Sequence, residues 1–202
     1  MGIHYQKTNI HWNYFLSIES DFEKISRYVE FTKSNDKTFS IELARIIMAS
    51  TQEADGVLKK ICKLLEEGSN PKNIKDYRDI IKEKSPKFIT ETVHISRFGM
   101  RSKPWINWKE EIDNNSPEWW IANNSIKHNR TENFENANLK NAYNSIGALL
   151  IATLYLYKLE LETITGEAIE WKRLTGVLKP KTSLFTLKDE YYHEPGHWAG
   201  IE

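Results

Sequence analysis

The run ALLIATLYLY, Ala148–Tyr157, contains no charged residue and only Thr153 and two tyrosines as polar groups. It sits inside a longer pattern in which Ala142, Ile146, Leu149, Leu150, Thr153, Leu154, Tyr157 and Leu161 step by three and four. That period belongs to an α-helix, here predicted from Asn136 to Glu162. A helix apolar nearly all round is covered on every side, so this one is expected at the centre of the fold.

Other helices are predicted outward from it. Leu43, Ile47, Ser50, Ala54, Leu58, Ile61 and Leu65 form one stripe of a helix from Ser40 to Glu67, stopped by Gly68. Trp12, Phe15, Leu16, Phe22, Ile25 and Val29 mark another from Ile10 to Phe31, followed by a turn at Asn35-Asp36-Lys37. Asn70-Pro71 reads as cap and first residue of a short helix with Ile74, Tyr77 and Ile81 inside, ended by Pro86. The same cap-then-proline logic at Ser116-Pro117 opens a helix that ends near Arg130. FITETVHI, Phe88–Ile95, is rich in β-branched residues and suits a short strand or extended segment, and the chain from there to Asn115 reads as loop. Ser183–Leu187 is a second short strand candidate, and HEPGHWAGIE at 193–202 reads as a loose tail. The expected class is all-α: a bundle of about four main helices with a long insertion, a minor strand pair and an extended tail. The bundle is assigned to residues 1–166 and a C-terminal extension, packed on it or trailing from it, to 167–202.

Composition narrows the function. The chain of 202 residues has 28 basic and 28 acidic side chains, which argues against a protein that coats DNA but leaves room for a local basic site. No apolar run reaches the roughly 18 residues of a membrane span, and MGIHYQKTNIHW has no apolar signal centre. Cys62 is the one cysteine, so no disulfide framework is expected and the cytoplasm is the default compartment. His193-Glu194-Pro195-Gly196-His197 matches the letters of a zinc-protease signature, but that chemistry needs both histidines on a helix face, and Pro and Gly between them oppose a helix. No metal and no cofactor is expected.

Two stretches carry chemistry. RFGMRSKPWINW, Arg97–Trp108, interleaves Arg97, Arg101 and Lys103 with Phe98, Trp105 and Trp108. Such a pattern holds a single nucleic-acid strand by charge and stacking when the rings are exposed, and is ordinary packing when they are buried. WWIANNSIKHNR, Trp119–Arg130, places Trp120, Asn124 and His128 on one helix face, with Asn123 and Lys127 on an adjoining stripe and Arg130 pointing away if the helix continues. Histidine exchanges protons near neutral pH and lysine holds phosphate, so the patch suits proton transfer or phosphate binding. The alternative is structural: positive side chains in a last turn stabilise the helix dipole, and asparagines hydrogen-bond neighbouring helices.

WWIANNSIKHNR, the following FENANLKNAYNSIGALLIATLYLY and the earlier IELARIIMASTQEADGVLKKICKLL together resemble bacterial helical proteins of the HEPN superfamily (higher eukaryotes and prokaryotes nucleotide-binding). The resemblance implies a helical bundle, often a homodimer, and in many members metal-independent RNA cleavage in toxin–antitoxin, phage-defence or RNA-processing systems, with an antitoxin or defence protein as partner. The family signature is Arg, four to six residues, then His, with a polar residue after the Arg; together they support attack of a ribose 2′-hydroxyl on phosphate. His128 and Asn124 match the His and the polar position. The Arg position falls on Asn123, and the other spacings on Ala122 and Ile121. Asn supplies no positive charge for a pentacoordinate phosphate. Lys127, Arg130, Arg97 and Arg101 are the cations that could replace it. The expected site is therefore His128, Asn124 and Lys127 for catalysis, with Asn123, Arg130, Arg97, Arg101, Trp105 and Trp108 for RNA. A non-catalytic HEPN-like module binding protein, RNA or nucleotide is the competing reading.

Overall fold

Burial on every side sets the position of the long apolar helix. In the computed structural model, which describes residues 8–109 and 116–192, this helix (Leu139–Thr165) is the sixth in the chain, α6. Asn138 starts it, its side chain accepting the Asn141 N–H at 3.0 Å. Gly166 ends it in the left-handed conformation, φ 70°. Ile146 and Ala148–Ala152 are all 0% exposed, a span that covers more than one full turn. Such a helix is stable only when other elements surround it. α2 (Ile41–Leu65) provides the most extensive packing along it. α1 (Ile10–Ile25), α5 (Glu118–Asn133) and α7 (Trp171–Val177) cover its remaining sides. α3 (Ile74–Lys84) packs on the outside of α2. The described residues are thus mainly helical, with one small two-stranded sheet.

Several boundaries differ from the sequence reading for local reasons. The first helix ends at Ile25 rather than Phe31, because the Ser26 hydroxyl and N–H both turn back to the Glu23 carbonyl, at 2.7 and 3.1 Å. The cap of α3 is Asn73, which accepts from the N–H groups of Lys75 and Asp76; Asn70-Pro71 lies before the helix. Pro117 itself occupies the cap position of α5.

The insertion is folded rather than loose over its described part. Lys87–Thr90 forms the short helix α4 and Val93–Ile95 the strand β1, which pairs antiparallel with β2 (Met100–Ser102) through a turn at Gly99. Val93 lies opposite Ser102, His94 opposite Arg101 and Ile95 opposite Met100. A Cβ on Gly147 would sit 3.3 Å from Val93 Cγ2, so the missing side chain on α6 is what lets β1 approach so closely. Residues 183–187 form no named strand. Thr186 adds a single bridge to His94, with N–H···O bonds of 2.7 and 2.9 Å in the two directions.

Residues 167–192 pack on the bundle. Two buried carboxylates hold them there. Glu19 on α1 accepts the backbone N–H groups of Ser183, Leu184 and Phe185 at 2.9–3.0 Å. Glu91 accepts the hydroxyls of Tyr155 and Tyr191 at 2.9 and 2.6 Å, joining the insertion, α6 and the C-terminal segment. No helix among the described residues is long and apolar enough to cross a membrane.

Glu19 is 1% exposed, and its removal strands the buried N–H groups of Leu184 and Phe185 and frees the part-buried one of Ser183. Glu19→Ala is expected to cost about 3 kcal/mol or more, read as a lower denaturation midpoint at unchanged m-value. Burial lifts the Glu19 carboxyl above its ordinary 4.5, against the lowering effect of the three N–H groups. The folded state then keeps a proton that the unfolded chain has released, so stability declines as pH rises past 4.5. Glu19→Gln, which cannot titrate, is expected to flatten that part of the pH–stability profile.

Candidate functional site

The position of α5 is set by Trp119. Its ring is 1% exposed, donates from Nε1 to the Pro104 carbonyl at 3.0 Å and meets Trp105 edge-on at 5.0 Å. Ala122 and Ile126 continue the buried stripe at three- and four-residue spacing. The opposite face is therefore turned to solvent, and it carries the polar residues singled out in the sequence. Asn124, Lys127, His128 and Arg130 are exposed and Asn123 is half-buried. Their one mutual bond runs from Asn123 Nδ2 to Asn124 Oδ1 at 3.4 Å. The side chains of Lys127, His128 and Arg130 form no hydrogen bond or ion pair among the described residues. The stripe does not fasten α5 to a neighbouring helix.

The helix breaks directly after His128. Asn129 has φ −149° and ψ 71°, outside helical values, and its carbonyl is taken up by Asn133 Nδ2 at 2.9 Å. The expectation that Arg130 points away assumes a continuing helix. With the break, the direction of Arg130 is no longer fixed by its spacing from His128.

The second sequence candidate divides. Trp105 and Trp108 are 0% and 1% exposed, with ring centroids 4.4 Å apart and both against Phe88. They present no open face to a base, so of the two readings of RFGMRSKPWINW the rings follow the packed one. Arg97 forms an ion pair with Glu23 at 3.0 Å and lies over the Phe98 ring. Arg101 is exposed on β2. Neither bonds to the α5 stripe. The HEPGH stretch lies outside the described residues. Among those described, no group of three or more His, Cys, Asp or Glu is arranged to hold a metal. Cys62 is fully buried, and burial pushes its thiol up to about 12, which suits a packed residue rather than a nucleophile.

Two arrangements were not legible in the sequence. A cleft of about 670 Å³ opens beside the start of α5, between Glu118, Ile121 and Ala122, the 33–37 turn and the start of α6. Asp36 lines it half-buried. Burial raises the Asp36 carboxyl, opposed by the Tyr143 hydroxyl, Lys140 and Lys33. The motif Asn-Asp-Lys signals only a turn, and nothing local reveals that it faces α5. Between α1 and α2, His11 Nδ1 lies 2.5 Å from Glu53 Oε1, and Lys60 Nζ 2.6 Å from His11 Nε2. With the ammonium donating to Nε2, the proton of His11 belongs on Nδ1, where it faces Glu53. Both ring nitrogens are occupied, so this group ties α1 to α2 and offers no open base.

Comparison of the chain with protein-family models, with curated proteins and with solved structures gives no match.

Because the α5 stripe holds nothing together, Asn124→Ala and His128→Ala are each expected to change stability by less than about 0.5 kcal/mol. Trp119→Ala is expected to cost about 3–5 kcal/mol. Thermal melts of the three variants check the contrast, and a large loss in His128→Ala would return the stripe to a structural role.

Proposed function

We propose that the chain is a HEPN-like helical bundle that cleaves RNA without a metal ion, in a bacterial toxin–antitoxin or defence setting in the cytoplasm. The observation that supports this reading best is the unconsumed stripe on α5. Asn124, Lys127, His128 and Arg130 are solvent-facing and not used to stabilise the fold.

In this reading neutral His128 takes the proton of a ribose 2′-hydroxyl. The 2′-oxygen forms its bond to phosphorus as the bond from phosphorus to the 5′-oxygen breaks, the departing 5′-oxygen takes a proton from solvent water, and His128 returns its proton to solvent. Asn124, one turn before His128, orients the imidazole or the phosphate. The charge that Asn123 does not supply comes from Lys127 beside the histidine and from Arg130, whose backbone leaves the helical track at Asn129. A second copy of the chain in a homodimer would bring another such set to the same phosphate, and an antitoxin or defence protein would restrain it.

One observation favours a non-catalytic RNA-, protein- or nucleotide-binding module instead. His128 is exposed and no carboxylate among the described residues bonds its ring, so nothing within one chain orients it as base.

Purified protein incubated with total RNA in the presence of EDTA decides between them. Cleavage that falls by at least about 100-fold in His128→Ala, with an unchanged melting temperature, is the expected result. Equal cleavage by the two proteins would remove His128 as the catalyst. Binding of RNA without turnover by either would leave the binding module.

A further inference from the structure

The cleft at the start of α5 is not part of the sequence-derived site, yet it lies on the same face. Ile121, Ser125 and His128 recur at helical spacing, so the cleft opens about 10 Å along the helix from the imidazole. Its chemistry is mixed in a particular way. Lys33 and Lys37 are exposed, and their ammonium groups form no hydrogen bond or close ion pair among the described residues, although the Lys33 charge acts on Asp36. The third lysine, Lys140, is already neutralised by Glu118 at 2.5 Å. Asp36 lies deeper than the lysines and lines the cleft half-buried; its Oδ1 is closed to solvent, so the carboxyl faces a ligand with Oδ2. Ile121, 50% exposed, supplies an apolar wall.

The start of α6 adds nothing for an anion. The N–H groups of Leu139, Lys140 and Ala142 are taken by the carbonyls of Thr38, Asp36 and Asn138, and that of Asn141 by the Asn138 side chain. An anionic group entering the cleft therefore meets the ammonium groups of Lys33 and Lys37 at the rim. It is kept from the interior by the Asp36 carboxyl, which instead accepts a hydroxyl or amino donor. A ligand that suits both carries a phosphate and, a few ångströms away, a hydroxyl, with a flat apolar face to lie on Ile121. A ribonucleotide unit has these three parts.

We propose that this cleft is the subsite for a ribonucleotide next to the one held at His128, with Lys33 and Lys37 on its phosphate, Asp36 accepting its ribose hydroxyl and Ile121 under its base. The inference rests on the RNA reading of the α5 stripe. It makes the bound RNA run along α5 from the 33–37 turn to the break at Asn129. It also gives the protein a reason to prefer RNA over DNA, since only the ribose carries the 2′-hydroxyl.

The test is fluorescence anisotropy with a labelled single-stranded RNA, the DNA of the same sequence, and AMP as a free nucleotide, at several salt concentrations. Native protein is expected to bind RNA more tightly than DNA. Lys33→Ala and Lys37→Ala are each expected to make the plot of log affinity against log salt shallower by about 0.7. Asp36→Ala is expected to reduce the RNA preference, and Asp36→Asn, which keeps an acceptor, to retain it. RNA binding by native protein with salt slopes unchanged in the lysine variants overturns the subsite alone. AMP binding that depends on the two lysines, with no binding of RNA, overturns the RNA strand as occupant and assigns the cleft to a free nucleotide. No binding of any probe overturns both the RNA reading and the subsite. The lysines are exposed, so their variants decide the matter even where Asp36→Ala unfolds.

Discussion

The constraint on which the structure depends is that α6 has no side that tolerates water. Ile146 and Ala148–Ala152 are excluded from solvent around the full circumference of the helix, so every other element is placed by the need to cover some part of it. α2 covers the most, and α1, α5 and α7 fill in around the rest. The insertion is drawn in by the same demand. Phe88, Trp105 and Trp108 come together against Tyr155 and Trp119, and β1 lies so close that a side chain at Gly147 would press on Val93. A polar stripe on α5 can stay exposed because Trp119, Ala122 and Ile126 alone satisfy that helix's share of the covering.

What was legible in the sequence follows from how local each signal is. The periodic stripes of α2 and α6 are written in residues three and four apart, and both helices lie within a few residues of their expected limits. Caps were less secure. Asn70 and Asn73 are both plausible caps by type, and only the backbone geometry at Asn73 distinguishes them. FITETVHI carries the β-branched signal of a strand and contains β1, whereas the chain after Ile95 reads as loop because its order comes from contacts distant in sequence, such as Trp119 Nε1 on the Pro104 carbonyl.

The candidate site divides along the same line. The residues of WWIANNSIKHNR share a face because helical spacing dictates it, and their exposure follows from the apolar stripe opposite. The break at Asn129 has no comparable signature, since asparagine is common in helices and at their ends. Trp105 and Trp108 look the same in sequence whether they stack on a base or on Phe88. Asp36 and Lys37 read as a turn, and their place across a cleft from α5 is a product of the whole fold.

Glu19 also bears on how the chain reaches this state. Its three donors lie 164 to 166 residues further along the sequence. During synthesis α1 emerges early with a carboxylate whose partners do not yet exist, and the face that will hold it stays unclosed until residues 183–185 arrive. Contacts of such span raise the contact order and slow folding relative to a bundle built from neighbouring helices. A nascent chain that stalls before residues 183–185 therefore carries the Glu19 carboxylate without its donors and Phe22 without the cover of Phe185, which leaves that part of α1 open to other molecules.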